Sequence, residues 1–221
     1  MKPMVIIVLA AGTAYAAHTE QPNDLAVYVE DAALVPMSNF VRAKGLASAV
    51  FRQIGVQVSI SSKKPDGRVP AGKRMTVRII RNCNASARDA VAYAYPFEGS
   101  TIVVCYDRLA WAEKSPILPP RLLAYVLVHE ITHNIQGFPQ HSETGIMKAH
   151  WDANDYADMA RHGLSFTAED VKLIEIGLEF RRTKAGSAMR DTFETLTLPA
   201  AGYTATREPF SNPAALYQPR F

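Results

Sequence analysis

The segment from His129 to His133, H-E-I-T-H, constrains the fold of this 221-residue chain more than any other feature. On an α-helix, residues four positions apart lie on one face, so His129 and His133 can bind one metal ion together. Glu130 then lies beside the open coordination position, where a carboxylate can serve as a general base. The pattern therefore predicts a helix that carries a zinc site with its own base.

The residues around this segment suit a helix. Pro119 and Pro120 fit its first turn, residues 122–128 are apolar, and Gly137 stands where a left-handed residue would end it. The alternative is a buried amphipathic helix whose histidines only hydrogen-bond to their neighbours. The metal interpretation is favoured because another histidine follows on the adjoining loop.

A catalytic zinc site usually holds three protein ligands and a water molecule, so the two helical histidines leave it one ligand short. His141 is the best candidate, because the four residues after Gly137 are enough for the chain to fold back toward the metal. Three later residues are alternatives: His150, Asp152 and Asp155. The sequence predicts His129, His133 and His141 as the metal ligands.

The predicted chemistry is hydrolysis with one catalytic zinc ion, Zn²⁺. Zinc lowers the pKa of a bound water molecule to about 7. Glu130 would take the proton of this water as it attacks a carbonyl carbon, and would then pass the proton to the leaving amine. The sequence thus predicts a metal-dependent hydrolase with Glu130 as its catalytic residue.

The first residues match a secretory signal peptide. Lys2 provides a basic start, residues 4–11 are apolar, and Ala14 and Ala16 form an Ala-x-Ala cleavage site. A membrane anchor is the alternative, but the apolar stretch is shorter than the ~20 residues that cross a bilayer. We therefore predict cleavage after Ala16, a secreted or periplasmic protein, and no stable membrane insertion.

The cysteine content predicts a disulfide, and the net charge limits the classes of binding partner. An even number of cysteines in an exported protein favours a disulfide, here Cys83–Cys105, over two separate buried thiols. The net charge of +3 is too small to indicate a nucleic-acid partner. The expected partner is a peptide or protein substrate.

Hydrophobic periodicity predicts an α+β fold. Strands are predicted at residues 25–29, 56–60, 75–79 and 102–106. A helix follows Pro36, with Ser38 as its cap and Gly55 at its end. A last helix opens at Thr167, with Asp170 completing a capping pair, and runs to about Arg182. We expect three parts: a signal peptide (1–16), one catalytic domain (17–184) and an irregular tail (185–221).

The motif resembles that of the metzincin clan of zinc endopeptidases, H-E-x-x-H-x-x-G-x-x-H followed by a Met-turn. His129, Glu130 and His133 match directly, His141 resembles the third ligand, and Met147 resembles the methionine of the turn. In this chain the glycine comes one residue later and the third histidine two residues later. The resulting pattern, H-E-x-x-H-x3-G-x3-H-S-x2-G-I-M, is similar to that of a group of exported bacterial metzincin-like proteins.

The resemblance implies a metzincin-like mixed, twisted sheet of about four strands backed by two helices, with an active-site helix, a Met-turn and a C-terminal helix. In the clan, substrate lies along the edge strand before the active-site helix, here residues 101–106, unless that strand is interior. Some clan members place a tyrosine after the Met-turn to assist at the oxyanion. Tyr156 or His150 could have that part here.

The resulting functional hypothesis is an exported zinc-dependent endopeptidase. The main alternative is a secreted, non-catalytic zinc-binding scaffold protein, in which a fourth protein ligand such as His150 or Asp152 takes the place of water. Hydrolysis of a non-peptide amide by the same zinc site is a third possibility.

Overall fold

The computed structural model describes residues 24–64, 69, 71–83, 90–95, 101–109 and 118–182. The elements in chain order are β1 (Asp24–Asp31), α1 (Met37–Gln53), β2 (Gln57–Ser61), a 3-10 turn (Ala71–Lys73), β3 (Arg74–Ile80), β4 (Ala92–Tyr95), β5 (Thr101–Cys105), α2 (Leu118–Gln136), α3 (Ala153–Arg161) and α4 (Ala168–Arg182). The predicted signal peptide and C-terminal tail lie outside the described residues. Among the helices described, none is long and apolar enough to cross a membrane.

The five strands form one mixed sheet in the order β2-β1-β3-β5-β4. Strands β2, β1, β3 and β5 are parallel to one another, and β4 is antiparallel to β5. The predicted α+β fold with a mixed sheet is therefore confirmed, with one strand more than expected. Strand β4 escaped prediction because four residues, Ala-Tyr-Ala-Tyr, are too short to show a distinct alternation.

The position of β5 corrects one expectation. The resemblance suggested that residues 101–106 form the edge strand, but β5 lies between β3 and β4. Within the described part of the chain the edge on this side of the sheet is β4, whose Ala92 pairs with Val104 and Tyr95 with Thr101. Strand β4 comes between β3 and β5 in the sequence but outside β5 in the sheet. Because β4 and β5 are antiparallel, a short connection is enough to join them.

Helix α2 lies at the centre of the domain. Residues 122–136 are all buried, because α2 packs against α1, α3, α4 and the strands β4 and β5. A helix that is apolar around its whole circumference needs such surroundings. As predicted, Pro119 and Pro120 lie in its first turn, and Gly137 follows its end with a φ of 80°.

Of the predicted helix caps, the one at α1 is wrong and the one at α4 is confirmed. Helix α1 begins at Met37, so Ser38 lies inside it and the predicted Ser38 cap is wrong. Its hydrogen bonding starts earlier than expected, since the Phe40 N–H donates to the carbonyl of Pro36. At the start of α4, in contrast, the Asp170 N–H donates to the Thr167 hydroxyl at 3.1 Å, as the sequence predicted.

Helix α4 crosses α2 at very short range. A Cβ atom at Gly177 would lie 2.1 Å from the carbonyl oxygen of Ile135, so only glycine fits there. Four residues later, Arg181 donates to the carbonyl oxygens of Asn134 at 3.0 Å and Gly72 at 3.2 Å. A cationic side chain that bonds the last carbonyls of a helix stabilises its C-terminal end.

The predicted disulfide is present between Cys83 and Cys105, whose Cα atoms are 5.7 Å apart. Because it closes a loop over 22 positions, replacing both cysteines with alanine should lower the free energy of unfolding by about 3 kcal/mol. Urea unfolding of parent and variant measures this difference. A reductant should destabilise the parent and leave the variant unchanged; equal unfolding midpoints of the two proteins would contradict the prediction.

Candidate metal centre

Two histidines of α2 come together at the core of the domain. Nε2 of His129 lies 3.0 Å from Nε2 of His133, one helical turn later. His129 donates from Nδ1 to the carbonyl oxygen of Ile146 at 2.8 Å. A hydrogen bond at one ring nitrogen fixes the orientation of the ring and the tautomer, so the His129 Nε2 lone pair faces His133.

His141 completes a cluster with these two residues, here called the histidine cluster. After Gly137 the chain reverses, and the ring centroid of His141 lies 5.4 Å from that of His129 and 5.0 Å from that of His133. One candidate ligand atom from each residue lies within 4.8 Å of the others. The structure thus brings together the three histidines predicted from the sequence.

The other candidates for a third ligand lie outside this cluster. Asp152 and Asp155 both accept from Lys148 Nζ, at 2.7 and 2.6 Å. The same two aspartates form the capping box at the start of α3, a helix that the sequence did not reveal. His150 is exposed, although its charge contributes to lowering the pKa of His141.

Burial keeps the histidine cluster neutral. Desolvation lowers the pKa of His129 to about 3, opposed by its hydrogen bond to Ile146. Desolvation also lowers the pKa of His133 well below its usual value, aided by the charges of His129 and His141. The pKa of His141 is also lowered by burial. Since a histidine must be neutral to ligate a metal, these environments favour metal binding at neutral pH.

Glu130, which directly follows His129 on α2, is fully buried. Neither carboxyl oxygen has a hydrogen-bond partner among the described residues. Desolvation alone raises the pKa of this group to about 8. A buried carboxylate without partners is costly, and a nearby cation offsets that cost because an opposite charge favours the ionised form. The environment of Glu130 therefore suits a bound cation.

The turn at residues 145–147 contacts the histidine cluster through His129. Met147 and Ile146 are buried, and the Ile146 carbonyl is the group that orients His129. Gly145 has a φ of 76°, and a Cβ there would lie 2.3 Å from the carbonyl oxygen of Ser165. The Ile146 N–H donates to the same oxygen at 3.1 Å. The turn is thereby held against the segment that precedes α4.

Two aromatic residues follow the turn. Trp151 donates from Nε1 to the carbonyl of Gly145 at 3.3 Å, and its ring lies 5.6 Å from that of His129, edge to face. Tyr156 is half-buried, and burial, followed by the charges of Asp155 and Asp152, raises its pKa. Trp151 therefore packs beside the site, and an oxyanion role for Tyr156 or His150 stays a prediction.

Sequence reasoning missed two polar residues on α2. Asn134 and Gln136 are buried, and both polar side-chain atoms of Asn134 and Oε1 of Gln136 have no partner among the described residues. Asn134 lies one turn after Glu130, so their side chains share a helix face. In the sequence they are visible only as polar residues at the end of an apolar helix. Hydrophobic periodicity cannot show that every face of that helix is buried.

The fold has counterparts among solved structures, although neither a protein-family model nor a curated protein matches the sequence. A crystal structure of a zinc-dependent peptidase from Methanocorpusculum labreanum is similar with a TM-score of 0.51 at 14% identity, covering 68% of this chain and 99% of that chain. The crystal structure of archaemetzincin from Methanopyrus kandleri is similar with a TM-score of 0.50 at 15% identity, covering 74% and 99% of the two chains. The likeness confirms the metzincin-like fold.

Proposed function

We propose that this protein is an exported zinc-dependent endopeptidase that binds one catalytic Zn²⁺ ion through His129, His133 and His141. The observation that carries the proposal is the histidine cluster together with the buried Glu130 on the same helix, whose carboxyl oxygens have no hydrogen-bond partner within the described part of the chain. Support also comes from the two structural neighbours, which are described as a zinc-dependent peptidase and an archaemetzincin.

The residues of the cluster fit zinc. Two nitrogen ligands of a tetrahedral zinc ion are separated by roughly 3.3 Å when each bond is about 2.0–2.1 Å long. The 3.0 Å between the Nε2 atoms of His129 and His133 is close to this value. Burial lowers the pKa of all three imidazoles and so favours their neutral forms, and the carboxyl group of Glu130 has no hydrogen-bond partner among the described residues.

Bound zinc would supply Lewis-acid polarisation of a carbonyl and an acidified water molecule. The side chains of the protein would do the rest. Glu130 would accept the proton of the attacking water on a carboxylate oxygen and deliver it to the leaving amine. The Ile146 carbonyl holds His129 in the tautomer that leaves Nε2 available. The burial of α2 excludes bulk water and so strengthens these interactions.

Substrate recognition would use the edge of the sheet. Strand β4 packs against α2, and within the described residues it is the edge next to that helix. An edge strand offers backbone N–H and C=O groups to an extended peptide, which can add as a further strand. We therefore assign substrate binding to β4 (Ala92–Tyr95), in place of the strand that the sequence suggested.

The scaffold alternative has less support. It requires a fourth protein ligand, for which His150 and Asp152 were the candidates. Among the described residues the cluster contains three histidines, and Asp152 is bonded to Lys148 and to the start of α3. Three ligands leave a coordination position for water, as catalytic zinc sites require.

The proposal also includes export of the protein. Its structural support is the Cys83–Cys105 disulfide, because such bonds persist mainly in oxidising compartments. The leader-like sequence of residues 1–16 supports it independently.

The experiment that tests the function combines metal analysis with a mixed library of quenched fluorescent peptides. We expect one zinc ion per chain, peptide cleavage by the purified protein, loss of cleavage on chelation, and recovery when zinc is restored. Zinc binding with no cleavage of any peptide would favour the scaffold, and a protein that binds no zinc would exclude both.

The third ligand is tested by comparing two histidines of the same loop region. His141→Ala should weaken zinc binding more than about 100-fold, the upper range for losing a group that only orients a ligand. His150→Ala should keep the parental zinc affinity, because His150 lies outside the cluster. Competition with a zinc chelator measures both dissociation constants. The reverse order of effects would make His150 the ligand.

A further inference from the structure

The start of α4 lies against the loop that carries His141. The Ser142 hydroxyl donates to Asp170 Oδ1 at 2.5 Å, and the Thr167 N–H donates to Asp170 Oδ2 at 2.8 Å. Asp170 is only 2% exposed, so water has little access to replace either donor. A buried carboxyl group therefore ties Ser142 to α4, across 28 positions of sequence.

Ser142 is also hydrogen-bonded to the turn at residues 145–147. Its backbone N–H donates to the Met147 carbonyl at 2.8 Å, and it forms an isolated β-bridge with Lys148. Ser142 directly follows His141, which lies on a loop and is only half-buried. Helix α2 fixes the positions of His129 and His133. The position of His141 depends instead on the contacts that hold its loop.

We propose that Ser142 and Asp170 are a positioning pair that fixes His141 for metal binding. The inference rests on the zinc site proposed above. It adds that tight zinc binding requires the loop of His141 to be held in place. A ligand that is already ordered loses less conformational entropy when it binds the metal. Groups that orient metal ligands commonly change metal affinity 10- to 100-fold. The pair would therefore raise zinc affinity without touching the ion.

The test is the zinc dissociation constant of Ser142→Ala and of Asp170→Ala, measured by competition with a chelator. We expect each to bind zinc on the order of tenfold more weakly than the parent. The double variant should bind zinc no more weakly than Asp170→Ala alone, because the Ser142 hydroxyl acts through its bond to Asp170. Ser142→Thr keeps the hydroxyl and should keep the parental affinity.

Two further measurements separate positioning from general stability. Thr167→Ala removes the hydroxyl that caps α4 and leaves the Ser142–Asp170 bond in place. It should lower the melting temperature of the zinc-free protein and leave the zinc dissociation constant unchanged. In the cobalt-substituted protein, the visible absorption bands should change in Ser142→Ala and not in Thr167→Ala, because the bands report ligand geometry.

Parental zinc affinity in Ser142→Ala would overturn the inference, and so would an equal loss of affinity in Thr167→Ala. Ser142→Ala decides the matter if Asp170→Ala does not fold. A parent protein that binds no zinc would overturn the proposed function together with this inference. A parent that binds zinc and cleaves peptides, with no effect of Ser142→Ala, would overturn the positioning pair alone.

Discussion

Replacing Glu130 with glutamine is expected to lower kcat/KM for peptide hydrolysis by roughly 10²- to 10⁴-fold, the usual contribution of general acid–base catalysis. Glutamine has nearly the same shape, but its amide cannot accept the proton of the attacking water. Zinc should remain bound, since the candidate ligands are the three histidines of the cluster. Steady-state kinetics on a cleaved library peptide and zinc analysis of the same sample measure both effects.

The matched control for this substitution is Glu175→Gln. Glu175 is an exposed residue of α4, so the variant has the same change in net charge and no change in the site. It should hydrolyse the peptide at the parental rate. Glu130→Gln protein that keeps both zinc and the parental rate would remove Glu130 from the mechanism.

Replacing Gly177 with alanine is expected to lower the free energy of unfolding by about 3 kcal/mol or more, at the upper end of overpacking effects. The added Cβ would lie 2.1 Å from the carbonyl oxygen of Ile135 and 3.2 Å from the Cα of Gln136. These are backbone atoms of α2, so the contact cannot be relieved by turning a side chain. Urea unfolding monitored by circular dichroism measures the loss.

Gly45 provides the control, because it is also a helical glycine but is exposed on α1 with no heavy atom within 4 Å of an added Cβ. Gly45→Ala should stabilise the protein by roughly 0.5–1 kcal/mol, since alanine is the better helix former. Opposite signs for the two variants would identify the contact between α4 and α2 as the cause. A Gly177→Ala protein as stable as the parent would show that the two helices can separate at little cost.

The part of the site that the sequence predicted is the part set by local geometry. His129, Glu130 and His133 follow from the spacing of one helix, and Gly137 marks where that helix ends. The approach of His141 depends on a short reversal of the chain, which the sequence makes feasible without determining its direction. Its closeness to the other two histidines had to be seen in the structure.

The features that the sequence did not reveal depend on tertiary contacts or on weak patterns. Helix α3 spans only nine residues, which are mostly polar with Met159 as the buried one, so it is too short for a pattern to identify it with certainty. Strand β4 is short and rich in alanine, and only its pairing with β5 defines it. The bond between Ser142 and Asp170 joins residues far apart in the chain, and no local pattern predicts such a partner.

The central burial of α2 would link the proposed metal binding to the stability of the whole domain. The helix that carries His129 and His133 is also the one around which the other helices pack. Its amide hydrogens should therefore exchange with solvent only through global opening, as is typical of core elements. A ligand that binds only the native state at a free concentration of 100 times its Kd stabilises it by about 2.7 kcal/mol. A thermal-shift assay across a series of metal ions would therefore rank the affinities of the site before any substrate is known.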